Sequence, residues 1–206
     1  MSDSFKTIVA KARAELRVQG SRFIASAHNA PTKGESQKFI RSIRKEFFDA
    51  THNCYAYRMG VKGDQFRFND DGEPGGSAGR PILAAIDREG LTDVVIVVTR
   101  FFGGTKLGVG GLVRAYGAAA EAVLHKAEQT VKFIQEGMVI TFPHSHIGNV
   151  MRGVSMHDAR ITDTLYDEEV HLTVEIRKSK VELLKSSLIT LTNGNVSIRA
   201  LPSGSP

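Results

Sequence analysis

Cysteine is almost missing from this chain, since Cys54 is the only one. No intrachain disulfide can form, which excludes a disulfide-stapled scaffold and points to a reducing compartment. No run approaches the roughly 18 apolar residues that a membrane-spanning helix needs. Met1 to Lys6 hold no apolar signal core. A cytoplasmic location without a membrane partner is therefore expected. Repeats and low-complexity segments are also missing. So is any complete set of acid, base and nucleophile, and no catalytic residue is assigned. Ser77, in Gly-Gly-Ser-Ala-Gly, is not a nucleophile elbow. The glycines of 103–111 match neither a Walker A loop nor the dinucleotide fingerprint. These gaps weigh against an enzyme.

What is present reads as an ordinary soluble globule. Hydrophobic residues make up 41% of the 206 and charged residues 24%, enough for one large domain or two small ones. Lys and Arg number 27 against 22 Asp and Glu, a net charge of +5. That excess favours acidic partners such as RNA, DNA or nucleotides.

Along the chain, apolar and charged residues alternate from Ile8 to Val18, the period of a strand with one buried face. Gly20-Ser21 signals a turn, and 22–27 can return antiparallel. Thr32 and Glu35 have capping-box spacing ahead of a helix carrying Phe39 or Ile40, Ile43 and Phe47. Strands are expected over 51–58 and 64–68. Residues 69–81 then pack four glycines, two prolines and three acids into thirteen positions, which regular structure cannot accommodate. Pro81 suits the first turn of the next helix and has a structural role. The run 93–98 is β-branched and apolar, the pattern of a strand buried on both faces. A second glycine-rich stretch, 103–111, leads into a helix with Leu112, Tyr116, Ala119 and Val123 on one face. Two glycine-rich loops thus precede two helices, on one edge of a common sheet. From Gly137 the pattern restarts as β-α-β-β-α-β, a ferredoxin-like order. A second capping box is expected at Ser179 and Glu182. The division is 1–136, 137–201 and a disordered tail, 202–206.

The 103–111 stretch organises the chemistry. Five glycines in nine residues let a ligand or another backbone come close. A helix opening there offers amide N–H groups to an anion. Arg100, Gly103, Gly104, Lys106, Gly108, Gly110, Gly111 and Arg114 are the candidate anion- or RNA-binding residues. The competing reading is tight strand-to-helix packing with no ligand. Asp70, Asp71 and Glu73 could hold magnesium through carboxylate oxygens, or form a solvated acidic turn; no other cofactor is expected. His52 and Cys54 share a strand face, but paired cysteines for zinc are lacking, and Cys54 is assigned a structural role. Phe66, Phe68, Phe101, Phe102 and Tyr116 flank cations as single-stranded nucleic acid requires, with Phe68 and Phe102 assigned to the core.

Three stretches together resemble the YigZ/IMPACT family: 52–56 (HNCYA), 70–81 (DDGEPGGSAGRP) and 100–116 (RFFGGTKLGVGGLVRAY). The resemblance covers nearly the whole chain and implies an α+β fold. It implies a first domain with the ribosomal protein S five domain two-like fold, including a left-handed βαβ crossover. It implies a second, ferredoxin-like domain similar to the last domain of elongation factor G. Eukaryotic members dampen a starvation-responsive kinase, partly through an extra N-terminal domain that does not precede this sequence, so that partner is not carried over. Phe101 stands where the family often has Tyr, and Ser77 where Thr is common. The resulting expectation is a non-catalytic protein that binds RNA or the ribosome and touches translation, with a protein partner of the translation machinery as a further candidate. A magnesium-dependent enzyme acting on a nucleotide or phosphorylated small molecule is the alternative. A protein-interaction module is a third.

Overall fold

The computed structural model describes residues 3–201, so the expected tail at 202–206 lies outside the described residues. The chain divides into a unit of Ser4–Lys132 and a unit of residues 133–201 together with Asp3.

The first unit begins with β1 (Ser4–Ile8), β2 (Ala12–Val18) and β3 (Ser21–Asn29). The single strand expected over 8–18 is therefore two. The backbone changes partner at Val9, whose N–H donates to the Glu128 carbonyl at 2.8 Å. Alternation reports which face a residue takes, not which strand it joins. The β2–β3 turn sits one residue earlier than expected, on Gln19 (φ 47°) and Gly20 (φ 81°). Two positive φ angles in a two-residue hairpin match the right-handed strand twist.

Helix α1 (Lys33–Glu46) starts with the expected capping box: Glu35 N–H donates to Thr32 Oγ1 at 3.2 Å, and Thr32 N–H to Glu35 Oε2 at 3.1 Å. Strands β4 (His52–Met59) and β5 (Gln65–Asn69) follow, then α2 (Gly79–Arg88), β6 (Val94–Phe101), α3 (Gly108–Lys126) and β7 (Gln129–Phe133). Strands β1 and β7 pair with each other, and the remaining five form one sheet in the order β2-β3-β6-β4-β5. The run from Val94 to Val98 is fully buried, because both faces of β6 are covered. Val95 and Val97 pack against Phe39, Ile40 and Ile43 of α1. Val94, Ile96 and Val98 share the opposite core with Ile82 and Ile86 of α2 and Leu112, Tyr116 and Val123 of α3.

This topology requires crossovers of both hands. Strands β3 and β4 each pair antiparallel with β6, so they are parallel and joined through α1 on one face. Strands β5 and β6 each pair antiparallel with β4, so they are parallel and joined through α2 on the other face. Between the two crossovers the strand direction and the sideways step both reverse, which cancels, and the face reverses once. One crossover is therefore left-handed, against the general preference.

The second unit contains β8 (Gln135–Phe142), α4 (Ile147–Met156), β9 (Arg160–Tyr166), β10 (Val170–Arg177), α5 (Val181–Leu191) and β11 (Ser197–Ala200). Its sheet order is β11-β8-β10-β9, all antiparallel, with the helices covering one face in the ferredoxin-like arrangement. Gly137, read as a boundary, lies inside β8 opposite Glu175. A Cβ there would meet Leu201 at 3.0 Å, so the glycine serves packing. The capping box expected at Ser179 and Glu182 does not form. A 3-10 turn over Lys178–Lys180 moves the helix start past Ser179, and α5 has no side-chain cap.

Met138, Ile140, Phe142, Leu172, Val174 and Leu188 make a core internal to this unit. A fragment of residues 133–201 is expected to fold alone. A dispersed amide spectrum and a cooperative melt would bear this out, and collapsed amide shifts would refute it.

Candidate nucleic-acid interface

Because β5 and β6 are parallel, the glycine-rich loops that follow them leave the sheet at the same edge. A buried polar cluster ties these loops together. Glu73 Oε1 accepts from Arg100 Nη1 at 2.7 Å and from the Tyr116 hydroxyl at 2.8 Å. The ion pair is shut off from water, with side-chain exposures of 6% for Arg100 and 4% for Glu73. Arg100 Nη2 also reaches Ser21 Oγ at 3.3 Å, and that oxygen accepts the Gly103 N–H at 3.2 Å. Arg100 is thus an internal cation, and the expectation that it meets an external anion is corrected: Glu73 already occupies it.

Cys54 donates its thiol to the Asp70 carbonyl at 3.0 Å and lies 3.4 Å from the Tyr116 hydroxyl. Burial pushes its pKa up to about 12, and burial likewise drives the Tyr116 phenol well above its ordinary range. Cys54 is fully buried, and these shifts favour its protonated thiol, as suits a packing group. His52 donates Nδ1–H to the Asp71 carbonyl at 2.8 Å, and its Nε2 is 3.9 Å from Glu73 Oε1.

The three acids of the first loop do not converge. Asp70 accepts from the backbone N–H groups of Gly76, Ala78 and Gly79 at 2.8–3.0 Å. It caps α2, whose N-cap residue Ala78 has no side chain able to do so. Asp71 accepts from the Asn53 N–H at 2.7 Å and pairs with Arg44. Glu73 turns inward to Arg100. Among the described residues, no three His, Cys, Asp or Glu side chains are grouped to hold a metal ion. Each of these carboxylates serves a different protein partner in this structure. Pro81 occupies the first turn of α2, where no N–H is needed.

The second loop is open. Residues 103–106 are exposed, and α3 begins at Gly108 with no side-chain cap on its first amides. Gly104 (φ 87°) and Gly108 (φ 67°) need glycine for conformation. Gly103 needs it for packing: a Cβ would lie 1.9 Å from the Gly20 carbonyl carbon. Its backbone crosses that of Gly20, and its N–H is taken by Ser21 Oγ. The Arg114 guanidinium folds back toward the helix start, 3.6 Å from where a Cβ on Gly110 would stand. Lys106 and Arg114 are exposed and have no acidic partner among the described residues. Lys106, Gly104, Gly108, Gly110, Gly111 and Arg114 thus belong to one positive surface, with Gly103 exposed at its margin and Arg100 buried beneath it.

Two placements escape local pattern. Phe102, assigned to the core, is 48% exposed, whereas Phe68 does pack against the core. Phe47 and Phe48 join the same edge: the rings of Phe47 and Phe101 meet edge to face at 6.3 Å, while Phe48 is 85% exposed. The available signal was the Phe-Phe pair at a helix end, where the stripe of Phe39, Ile40 and Ile43 already supplies the buried face.

Glu73→Gln is expected to cost about 3–5 kcal/mol, because it leaves the buried Arg100 charge uncompensated. Urea unfolding measures it, and a destabilisation no larger than the roughly 0.5 kcal/mol of an ordinary surface change would refute it. Asp70 carries a pH dependence. Burial raises its pKa, but the three amides and Arg80 outweigh that and hold it below the ordinary value. Its stabilising effect is therefore present above about pH 4, the unfolded range, and is lost as pH falls through the depressed folded value. Asp70→Asn should flatten that acid limb in a pH series of unfolding midpoints; an unchanged limb would contradict the cap.

Residues 19–124 match the model of the Impact N-terminal domain, and residues 140–195 match a domain of unknown function, DUF1949. The IMPACT family member YvyE of Bacillus subtilis (strain 168) is 32% identical over 199 residues, covering 97% of this chain and 92% of its own. The IMPACT family member YigZ of Escherichia coli (strain K12) is 30% identical over 186 residues, 89% of this chain and 91% of its own. A crystal structure of a hypothetical protein, 28% identical, superposes with a TM-score of 0.75 and covers 99% of this chain and 100% of that one. The loops that meet over Glu73 and Arg100 fall within the first matched domain, the ferredoxin-like unit contains the second, and the chain belongs to the IMPACT family.

Proposed function

We propose that this IMPACT family member is a non-catalytic protein that binds RNA or the ribosome and acts in the regulation of translation. One observation carries this reading: the start of α3 is exposed and uncapped, with Lys106 and Arg114 beside it and no acidic partner for either among the described residues. An uncapped helix start concentrates partial positive charge, and the two side chains add whole charges, which together suit a phosphate. The start of α2 differs, because Asp70 already supplies its anion. The net charge of +5 favours the same partner.

The buried cluster supports a binding role over a catalytic one. Its thiol and phenol are held protonated, and Glu73 is committed to Arg100 and Tyr116. In the second unit, the central strands turn Val139, Thr141, His171, Thr173 and Glu175 away from the helices. That face lacks the Phe, Tyr or Trp rings with which a four-stranded sheet stacks bases, which favours an interface on the first unit. No described helix is long and apolar enough to cross a membrane, and a cytoplasmic site of action fits this proposal.

Lys106→Ala tests it. Removing one phosphate contact should lower the log–log salt slope by roughly 0.7 for single-stranded RNA. Binding should weaken across sequences, while stability should change by less than about 0.5 kcal/mol. Equal slopes and affinities for both proteins would remove the loop from the binding surface. Protection from melting by ATP or GTP only with magnesium would favour the nucleotide enzyme instead.

A further inference from the structure

The edge beside this loop carries a second feature. Phe47 and Phe101 are held in place: Arg13 lies 5.1 Å from the Phe47 ring centre and Arg22 lies 5.6 Å from that of Phe101. Those arginines are themselves paired, Arg13 with both carboxylate oxygens of Glu46 at 2.6 and 2.8 Å, and Arg22 with Glu15 at 2.9 Å. The two neighbouring rings are less covered: the Arg100 guanidinium lies over one side of Phe102, 5.5 Å from its ring centre, and no cation or second ring packs on Phe48 among the described residues. Phe48 is 85% exposed, and Phe102 is 48% exposed with its backbone N–H anchored on Thr51 Oγ1 at 3.0 Å. Leading to Phe48 along α1 are Lys38, Arg41 and Lys45, which share one helical face by their spacing. All three are exposed and without an acidic partner among the described residues.

We propose that Phe48 and Phe102 form a base-stacking platform for unpaired nucleotides, so that the RNA bound at this edge is single-stranded. This rests on the RNA reading of the α3 loop and specifies which RNA it takes. Open aromatic faces beside unpaired cations are what a single strand requires: the rings take bases and the cations take phosphates. A duplex keeps its bases stacked on one another and offers only its backbone and groove surfaces. An apolar protein partner fits less well, because covering these rings would also desolvate the Lys38, Arg41 and Lys45 charges. Asp49, next to Phe48, disfavours a phosphate at that point, so Phe48 contributes stacking and not charge.

The test compares a fluorescein-labelled single-stranded oligouridylate and oligoadenylate with a blunt RNA duplex of equal length. The wild type, Phe48→Ala and Phe48→Trp are each titrated at several salt concentrations. Phe48→Ala should weaken binding of both single strands by roughly tenfold, within the range alanine substitution gives for one base–ring contact. The salt slope and the duplex affinity should not move, and Phe48→Trp should restore the single-strand affinity. Single-strand affinity unchanged in Phe48→Ala, with the wild type binding RNA, would overturn the platform and leave the loop reading standing. A wild type that binds none of the three RNAs would overturn the loop reading and the platform with it. Disappearance of a co-purifying protein from Phe48→Ala, with RNA affinity unchanged, would reassign the patch to a protein interface.

Discussion

The Glu73–Arg100 ion pair is the interaction on which the functional edge depends. Taking two charges out of water is costly, and their attraction offsets that cost only when the geometry is good and the remaining polar atoms find partners. Glu73 comes from the loop after β5, Arg100 from the end of β6, Tyr116 from the second turn beyond the start of α3, and Ser21 from the start of β3. Four segments far apart in the chain must therefore be in register before either charge is satisfied. Within the Arg100 guanidinium, Nε is left buried without a partner. The pair acts as a keystone, and the position of the α3 start follows from it.

Above this keystone, the two glycine-rich loops solve opposite problems. Each leads from a parallel strand into a helix whose first amides lack partners. In the first loop Asp70 turns back and takes three backbone amides, two of them at the helix start, so that start is closed by the protein's own carboxylate. In the second loop no side chain does this, and the charges nearby are Lys106 and Arg114. The same local motif is self-satisfied in one place and open in the other. The carboxylate of Asp70 at one helix start, and the lack of a side-chain cap at the other, separate them.

Glycine plays two physical roles in the second loop. Gly103 is required because its backbone crosses that of Gly20 too closely for any Cβ. Gly104 and Gly108 face open space and are required by their positive φ angles. Ligand approach and packing, which compete as explanations of the stretch as a whole, divide between its residues.

Patterns with a short range were legible in the sequence: the buried strand at 93–98, the capping box at Thr32 and Glu35, the ferredoxin-like order of the second unit, and the two loops preceding two helices. Periodicity and capping act over a few residues, so composition records them. The motifs at 52–56, 70–81 and 100–116 also carried the family. Only the tertiary structure decided what each charged or aromatic residue does. Arg100 and Lys106 sit six positions apart and look alike in sequence, yet one is neutralised inside the fold and the other stands in solvent. Asp70, Asp71 and Glu73 read as one cluster, but their side chains diverge to an amide cap, a strand amide and a buried guanidinium. The break between β1 and β2, the left-handed crossover and the meeting of Phe47 with Phe101 are likewise settled by partners distant in the chain. A residue's burial and its counter-charge are supplied by segments tens of residues away, and that is why local pattern could propose these groups without assigning them.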